Sequence, residues 1–180
     1  MKCPLGKTRN KPVPGEGNSR APIFVIGEAP GYEEDLTGKP FVGRSGELLD
    51  KIFSACGFNR NEHLFIGNII KCRPPNNRTP SPEEIRSCIP YLFRQIELIN
   101  PTIQILLGAS ALSSLIDKNL KISKERGKWI QRNDRWIMPV YHPSALLRNP
   151  SLKKESWEDF KKIILKYREL INPEHYSKYI

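Results

Sequence analysis

The sequence predicts an α/β protein, a three-layer sandwich around a central, mostly parallel sheet of four strands. Short apolar runs rich in β-branched residues alternate along the chain with amphipathic segments at helical spacing. The first run is apolar throughout, which is typical of a strand that is buried on both faces, as in a parallel sheet. The 180 residues are enough to bury a sizeable core. We therefore expect a single domain over residues 1–180.

The strands are predicted from the apolar runs themselves, since each is short and ends at a glycine or a polar or proline-containing loop. They span residues 22–27, 64–70, 103–108 and 136–140.

Helix-start and helix-stop signals place four helices between and after these strands. Ser45 is placed to cap the first helix, and a capping box at Ser81 opens the second, which Pro90 should kink. The last helix has an apolar face at helical spacing. The predicted helices span residues 45–57, 81–99, 109–116 and 157–171.

The chain carries 29 Lys and Arg against 19 Asp and Glu, a formal charge of +10. Such an excess favours a polyanionic partner, because cations that neutralise phosphates release bound counterions. We expect residues 1–20 to form an irregular basic segment, and residues 118–135 to be exposed and to contact a nucleic-acid backbone. No apolar run approaches the roughly 18 residues that cross a bilayer, and no secretory signal is evident. A monomer in the cytoplasm, associated with the nucleoid, is the expectation.

Ligands of parallel sheets bind beyond the carboxyl ends of the strands, so three loops are candidate sites. Residues 27–46 are rich in glycine and have four carboxylates within eight residues. Glycines let the backbone approach a planar ligand closely, although a solvated acidic turn would have the same composition. The loop has no phosphate-binding pattern.

The other two loops follow the second and fourth strands. Asn68 interrupts an apolar run, and its amide offers the donor and acceptor needed to recognise a pyrimidine edge, or to cap local backbone. His142 is held against a proline where the fourth strand ends. Residues 146–148, Leu-Leu-Arg, combine an apolar wedge with a cation, as used to separate base steps in DNA.

Together these loops resemble the uracil-DNA glycosylase superfamily, specifically its type-4, iron–sulfur-containing branch. The resemblance covers nearly the whole chain. It is carried by GEAPG at 27–31 with Glu34 and Asp35, GKPFVGR at 38–44, NIIKCRPP at 68–75, and HPS at 142–144 with LLRN at 146–149.

The resemblance implies a DNA-repair enzyme that flips uracil out of single- or double-stranded DNA and hydrolyses its N-glycosidic bond, leaving an abasic site. Phe41 would stack on the base, and Asn68 would bond its O4 and N3–H edge. His142 would donate to O2 as charge develops there, assisted by backbone N–H groups near Ala29.

A carboxylate that other uracil glycosylases use for water stands where this chain has Ala29. Glu28 is the first candidate for that role and Glu34 the second, as a base or as a negative charge facing the sugar. The wedge is expected to contact DNA and fill the gap left by the flipped base through Ser144, Leu146, Leu147 and Arg148.

The type-4 resemblance also implies a 4Fe-4S cluster held by an early C-x-x-C pair and two later cysteines. Cys72 and Cys88 match the later two, and Cys3 matches the second of the early pair. The position of its partner falls before Met1. Four possibilities stay open: further residues upstream, a non-cysteine ligand, a labile or lost cluster, and four free thiols. We expect Cys56, on the apolar face of the first helix, to be an ordinary buried thiol.

Two other functional classes are weighed against the enzyme. A non-catalytic nucleic-acid-binding module of the same fold would need the charge but not Glu28, Phe41, Asn68 and His142 together. A nucleotide hydrolase or other Rossmann-like ligand-binding protein would need a phosphate cradle that this sequence lacks.

Overall fold

The computed structural model describes residues 3–180, and within them six strands form one sheet. Their bounds are β1 (Glu16–Gly17), β2 (Ile23–Gly27), β3 (Leu64–Asn68), β4 (Ile103–Leu107), β5 (Ile130–Arg132) and β6 (Arg135–Val140), in the order β1-β3-β2-β4-β6-β5. The four central strands are parallel to one another. They are the four strands that the apolar runs predict.

The predicted count of four strands was too low, because two short strands extend the sheet at its edges. β1 pairs antiparallel with β3, and β5 pairs antiparallel with β6. β1 has two residues and β5 has three, and neither contains an apolar run. Such segments are too short for hydrophobic periodicity to reveal them.

Helices precede, connect and follow the strands in the described residues. Their bounds are α1 (Tyr32–Thr37), α2 (Arg44–Ala55), α3 (Pro82–Ile99), α4 (Gly108–Leu115), α5 (Ile122–Glu125), α6 (Pro143–Arg148) and α7 (Lys153–Leu170). α1 lies in the acidic stretch that was predicted as a loop, and α3 runs through Pro90 as one helix. No helix within residues 3–180 combines the length and apolarity needed to cross a membrane.

The helices cover both faces of the sheet, which confirms the three-layer architecture. Phe53 of α2 and Phe160 of α7 pack edge-to-face, 5.9 Å between ring centroids, over the sheet face that contains Val25. On the opposite face Leu92 of α3 packs with Phe24. Successive residues of β2 point to opposite faces, so a single strand supplies both cores.

The N-terminal segment is fastened to the sheet although most of it has no regular structure. Leu5 and Val13 are buried, and the Val13 N–H donates to the Lys71 carbonyl over 2.7 Å. The Asn10 N–H and side-chain amide both donate to the buried Asp35 carboxylate. The segment therefore packs beside the end of β3.

The basic segment 118–135 is only partly exposed, so that prediction was wrong in part. The segment contains α5 and β5, and the Arg126 guanidinium, with its side chain 16% exposed, forms two hydrogen bonds of 2.7 and 2.8 Å to the buried Asp159 carboxylate. Arg126 therefore joins the segment to α7. Its remaining exposed cations are Lys118, Lys121, Lys124, Lys128 and Arg132.

Candidate active site

The carboxyl ends of β2, β3, β4 and β6 open into one recess of about 690 Å³. It lies where ligands of parallel sheets are expected, and a loop from each of the four parallel strands contributes to its wall. The predicted side chains converge there. The lining includes Glu28, Ala29, Glu34, Phe41, Asn68, Ser110, Tyr141, His142, Ser144 and Arg148.

Phe41 forms part of the wall in an unusual backbone conformation. Its φ angle is +53°, in the left-handed region that costs a non-glycine residue about 1–3 kcal/mol. Neighbouring glycines make room for it: a Cβ on Gly27 would lie 2.6 Å from the Phe41 ring, and one on Gly46 would lie 1.9 Å from the Phe41 carbonyl oxygen. The glycines of the first loop thus allow close packing around this aromatic ring.

Asn68 is the last residue of β3, and its side chain is buried with an unused acceptor. The residue is 1% exposed, and its Oδ1 has no hydrogen-bond partner within residues 3–180. Its backbone carbonyl accepts from the Lys71 Nζ over 2.7 Å. Burial lowers the pKa of Lys71 to about 8. A buried acceptor without a partner costs about 1–3 kcal/mol, so Oδ1 is suited to accept from a ligand N–H.

His142 caps the start of α6 through its ring. Its Nδ1 accepts from the Ser144 N–H over 3.1 Å, and the Ser144 Oγ lies 2.9 Å from the same nitrogen. Burial, aided by the positive charge of Arg148, lowers the pKa of His142 to about 4 despite the nearby Glu34. At neutral pH the imidazole is therefore uncharged, and with Nδ1 accepting, Nε2 bears the proton. The ring lies 5.7 Å from that of Phe41.

Glu34 uses both carboxylate oxygens to hold the first loop together. Its Oε1 accepts from the Val42 and Gly43 N–H groups, each over 2.9 Å, and its Oε2 accepts from the Gly31 N–H over 3.0 Å. These contacts tie the first turn of α1 to the chain just beyond Phe41. The carboxylate therefore shapes the recess through the backbone.

Glu28 is half-buried in the recess and accepts a hydrogen bond from the Ser110 hydroxyl. Ser110 lies in the first turn of α4, which brings a favourable helix N-terminus close to this carboxylate. Gly108 opens the helix with φ +87°, and a Cβ there would lie 3.0 Å from the His142 Cβ. Ser110 was not among the predicted site residues, since it follows the one parallel strand whose loop carries no unusual polar residue. A glycine directly after the third apolar run was the available signal.

The wedge after β6 exposes two of its three predicted residues, Leu147 and Arg148. Leu146 is 1% exposed, so its predicted contact with DNA was wrong: the side chain belongs to the protein interior. Leu147 is 37% exposed, and Arg148 is exposed and lines the recess. On the short helix α6 adjacent side chains point in different directions, which separates the two leucines.

A cation and an aromatic ring meet at the rim of the recess. The Arg73 guanidinium lies 5.0 Å from the centroid of the Tyr32 ring, and Tyr32 is 52% exposed. The Arg73 Nε donates to Asn77 Oδ1 over 2.7 Å. Asn77 lines the recess. Further along the loop Arg78 forms two hydrogen bonds to the buried Glu84, whose pKa the guanidinium lowers to about 2. This loop is thereby anchored to α3.

All three predicted cluster ligands line a second cavity of about 480 Å³: Cys3, Cys72 and Cys88. Arg9 donates to the Cys72 Sγ over 3.0 Å, and the Lys71 N–H donates to the Cys88 Sγ over 3.2 Å. Burial raises the pKa of the Cys88 thiol.

Cys56 lies apart, in the core under α2, and burial raises its pKa to about 12, as expected for an inert thiol. No group of three His, Cys, Asp or Glu side chains in residues 3–180 is arranged to hold a metal ion. An iron–sulfur cluster usually takes four thiolates, of which this cavity offers three. The three thiols are the kind of ligand that such a cluster takes, but they are one fewer than its usual four.

The fold and the recess define an α/β protein with a ligand site at the carboxyl edge of its sheet. The sequence pattern of the Uracil DNA glycosylase superfamily matches residues 14–161. The chain belongs to the uracil DNA glycosylase superfamily, and its relatives place it beside the type-4 members.

Three relatives are similar over most of their length. A type-4 uracil-DNA glycosylase of Saccharolobus solfataricus is 49% identical over 171 residues, 91% of this chain and 79% of the relative. The type-4 uracil-DNA glycosylase of Archaeoglobus fulgidus is 45% identical over 171 residues, 90% of this chain and 85% of the relative. That of Thermotoga maritima is 48% identical over 166 residues, 89% of this chain and 85% of the relative.

Proposed function

We propose that the chain is a uracil-DNA glycosylase of base excision repair, which removes uracil from DNA and leaves an abasic site. One observation carries the proposal: Phe41, the unpartnered Asn68 Oδ1 and an uncharged His142 line the same recess. The names of the three relatives support it, since each is a uracil-DNA glycosylase.

Recognition of the base follows from the hydrogen-bonding groups of the recess. A flipped uracil presents an N3–H donor and an O4 acceptor, which match the Oδ1 and Nδ2 of Asn68. Cytosine presents a bare N3 and an amino group at the same places, so Oδ1 would keep no partner at N3. The face of Phe41 supplies the stacking surface, worth about 1–3 kcal/mol for a base on an aromatic ring.

His142 is proposed to stabilise the departing uracil anion. Breaking the N-glycosidic bond leaves negative charge on the base, and the Nε2–H of a neutral imidazole donates to O2 as that charge develops. A donor of this kind contributes about 2.7–4 kcal/mol to lowering the barrier. The hydrogen bonds from Ser144 to Nδ1 fix the ring in the tautomer that the step requires.

Glu28 is proposed to handle the water. Its carboxylate lines the recess, whereas both oxygens of Glu34 already accept backbone N–H groups. The Glu28 carboxylate can orient a water and face the positive charge that develops on the sugar. Glu34, the second candidate of the sequence analysis, is assigned a positioning role instead.

Contact with DNA is assigned to the exposed end of α6 and to the cations around it. Leu147 is proposed to enter the stack where the uracil has left, with Ser144 and Arg148 contacting the strand beside it. The formal charge of +10 favours binding to phosphates. We infer a monomer in the cytoplasm that is associated with the nucleoid.

Cys3, Cys72 and Cys88 are proposed as three ligands of a 4Fe-4S cluster. Bound there, the cluster would supply a structural cross-link between the N-terminal segment, the loop after β3 and α3, and no reacting group. Arg9 and the Lys71 N–H donate to two of the sulfurs, so two of the proposed ligands already have hydrogen-bond donors beside them.

The proposed function is tested with an end-labelled oligonucleotide that contains one uracil. Under single-turnover conditions, treatment with alkali should break the strand at the uracil after incubation with the protein. Glu28→Gln and His142→Ala should each slow the reaction at least roughly a hundredfold with little change in DNA affinity. Glu33→Gln, a neighbouring exposed carboxylate, serves as the matched control. Binding without any alkali-labile site would instead support the non-catalytic module.

A further inference from the structure

We propose that Arg60 is a positioning residue for Phe41, and that it holds this ring in place for the flipped base by fixing a strained backbone. The inference rests on the proposed function for the identity of the base. Its structural part, the control of the Phe41 backbone by Arg60, stands on the geometry alone.

Arg60 bonds to the backbone on both sides of Phe41. Its Nη1 donates to the Pro40 carbonyl over 2.9 Å, and its Nη2 donates to the Phe41 carbonyl over 2.6 Å. These two oxygens belong to the peptide groups that flank the Phe41 Cα, so their relative orientation defines the φ and ψ angles of Phe41. A planar guanidinium that binds both oxygens therefore restrains both angles.

Phe41 needs such a restraint because its φ angle of +53° is unfavourable for a residue with a side chain. Residues held in this region persist only where their surroundings determine the conformation. A relaxed backbone would redirect the Phe41 ring, which now lies 5.7 Å from that of His142. The alignment of ring, amide and imidazole in the recess would then be lost.

The guanidinium is itself held from the protein side. Its Nε donates to Asp50 Oδ1 of α2 over 2.7 Å, and the Arg60 side chain is 21% exposed. Helix α2 also supplies Gly46, where a Cβ would clash with the Phe41 carbonyl. Arg60 therefore connects one rigid helix to the conformation of a residue in the recess.

Arg60→Ala and Arg60→Lys test the inference. Lysine keeps the charge but cannot bridge two carbonyls with a fixed planar fork, so it should restore only part of the function. We measure the single-turnover excision rate per active site with the enzyme at saturating concentration. This rate should fall at least roughly tenfold in Arg60→Ala and by less in Arg60→Lys, because small misplacements of a reacting group are costly. Inhibition by free uracil should weaken by a similar factor, while affinity for uracil-free DNA should stay within about twofold.

Arg168→Ala is the matched control, because Arg168 also binds two backbone carbonyls, those of His175 and Ile180, far from the recess. It should lower the melting temperature without changing the excision rate or the inhibition by uracil. If Arg60→Ala only lowers the melting temperature and leaves those two quantities at wild-type values, Arg60 is merely structural and the proposal is overturned.

Amide hydrogen exchange provides a readout that does not depend on the proposed function. The Val42 and Gly43 N–H groups are bonded to Glu34 directly after Phe41. Their exchange should accelerate in Arg60→Ala relative to amides of the central strands, and unchanged protection would refute control of this backbone by Arg60. If the wild type excises no uracil but Arg60→Ala still shows this acceleration, the proposed function is refuted and the positioning of Phe41 by Arg60 stands.

Discussion

At the scale of single residues, the environment of His142 determines how excision depends on pH. An ordinary histidine gains its proton near pH 6.5, but burial and Arg148 lower the pKa of His142 to about 4. The neutral donor therefore persists through mildly acidic conditions. Protonation of His142 should therefore not reduce the single-turnover excision rate near pH 6.5. It should reduce the rate only as the pH approaches 4.

The measurement is a pH–rate profile of the wild type compared with His142→Ala. The ratio of the two rates should stay constant from pH 8 to pH 6. A ratio that collapses with a midpoint near 6.5 would contradict a buried, uncharged imidazole.

The same shift lowers stability in acid, because the unfolded chain takes up this proton at the ordinary pKa of 6.5 and the folded chain only near 4.

Asn68 illustrates a conflict between stability and function within one side chain. Its buried Oδ1 lacks a hydrogen-bond partner in the part of the chain that the structure describes, which disfavours folding, yet this acceptor is the group proposed to recognise uracil. Asn68→Leu removes the unpaired acceptor at similar side-chain volume. We expect the free energy of unfolding to rise by about 1 kcal/mol while uracil excision is lost.

Urea denaturation and the single-turnover assay measure the two effects separately. Gln104, another buried amide in the central sheet but outside the recess, provides the comparison through Gln104→Leu. A substitution at Asn68 that destabilises the fold and spares excision would contradict the assigned role.

At the scale of elements, helix α6 separates a core residue from a DNA-contacting residue that is its direct neighbour. Leu146 is 1% exposed and Leu147 is 37% exposed. Leu146→Ala should therefore cost about 2–5 kcal/mol of stability, whereas Leu147→Ala should cost much less. Leu147→Ala should instead slow excision from double-stranded DNA more than from single-stranded DNA, where no gap in a duplex needs filling.

The two alanine variants serve as controls for each other. Thermal unfolding and excision from matched single- and double-stranded oligonucleotides measure both effects. Equal losses on the two substrates for Leu147→Ala would remove the wedge from the proposal.

The contrast between these leucines shows where sequence analysis succeeds and where it stops. The four parallel strands were predictable because each is a short, mainly apolar run, and the residues at or just beyond the ends of three of them led to Glu28, Asn68 and His142. The side on which a leucine of a six-residue helix lies depends on packing, which the spacing of Leu146 and Leu147 could not show. Edge strands of two or three residues carry too little pattern to be found.

Other features of the site depend on contacts between residues far apart in the chain. The positive φ of Phe41 has no signature in its side chain, since bulky residues generally avoid this conformation. Ser110 reaches Glu28 only through the packing of α4 around the sheet, and Arg60 reaches Phe41 only through the packing of α2. Sequence motifs therefore identified the groups proposed to touch the base, and the structure was needed to identify the groups that hold them.

At the scale of the whole molecule, the two cavities share one loop. Asn68 and Pro74 line the recess, whereas Ile70, Lys71 and Cys72 between them line the cysteine cavity. The cysteine cavity joins the N-terminal segment to α3, whereas the recess is built by the loops after the parallel strands. Loss of a cluster should therefore loosen the N-terminal segment before it disturbs the recess.

Cys88→Ser tests this separation, with Cys56→Ala as the control cysteine in the core. Protein purified without oxygen should contain iron and the visible absorbance of an iron–sulfur cluster, and Cys88→Ser should lose both, whereas Cys56→Ala should keep them. Limited proteolysis of Cys88→Ser should cleave within residues 3–13 faster than in the wild type, because the segment then keeps only contacts such as those of Val13 and Asn10. The excision rate of the folded fraction should change by no more than about twofold, since no proposed reacting group touches these thiols. Iron that survives in Cys88→Ser, or that disappears in Cys56→Ala, would show that the cavity of Cys3, Cys72 and Cys88 does not hold the cluster.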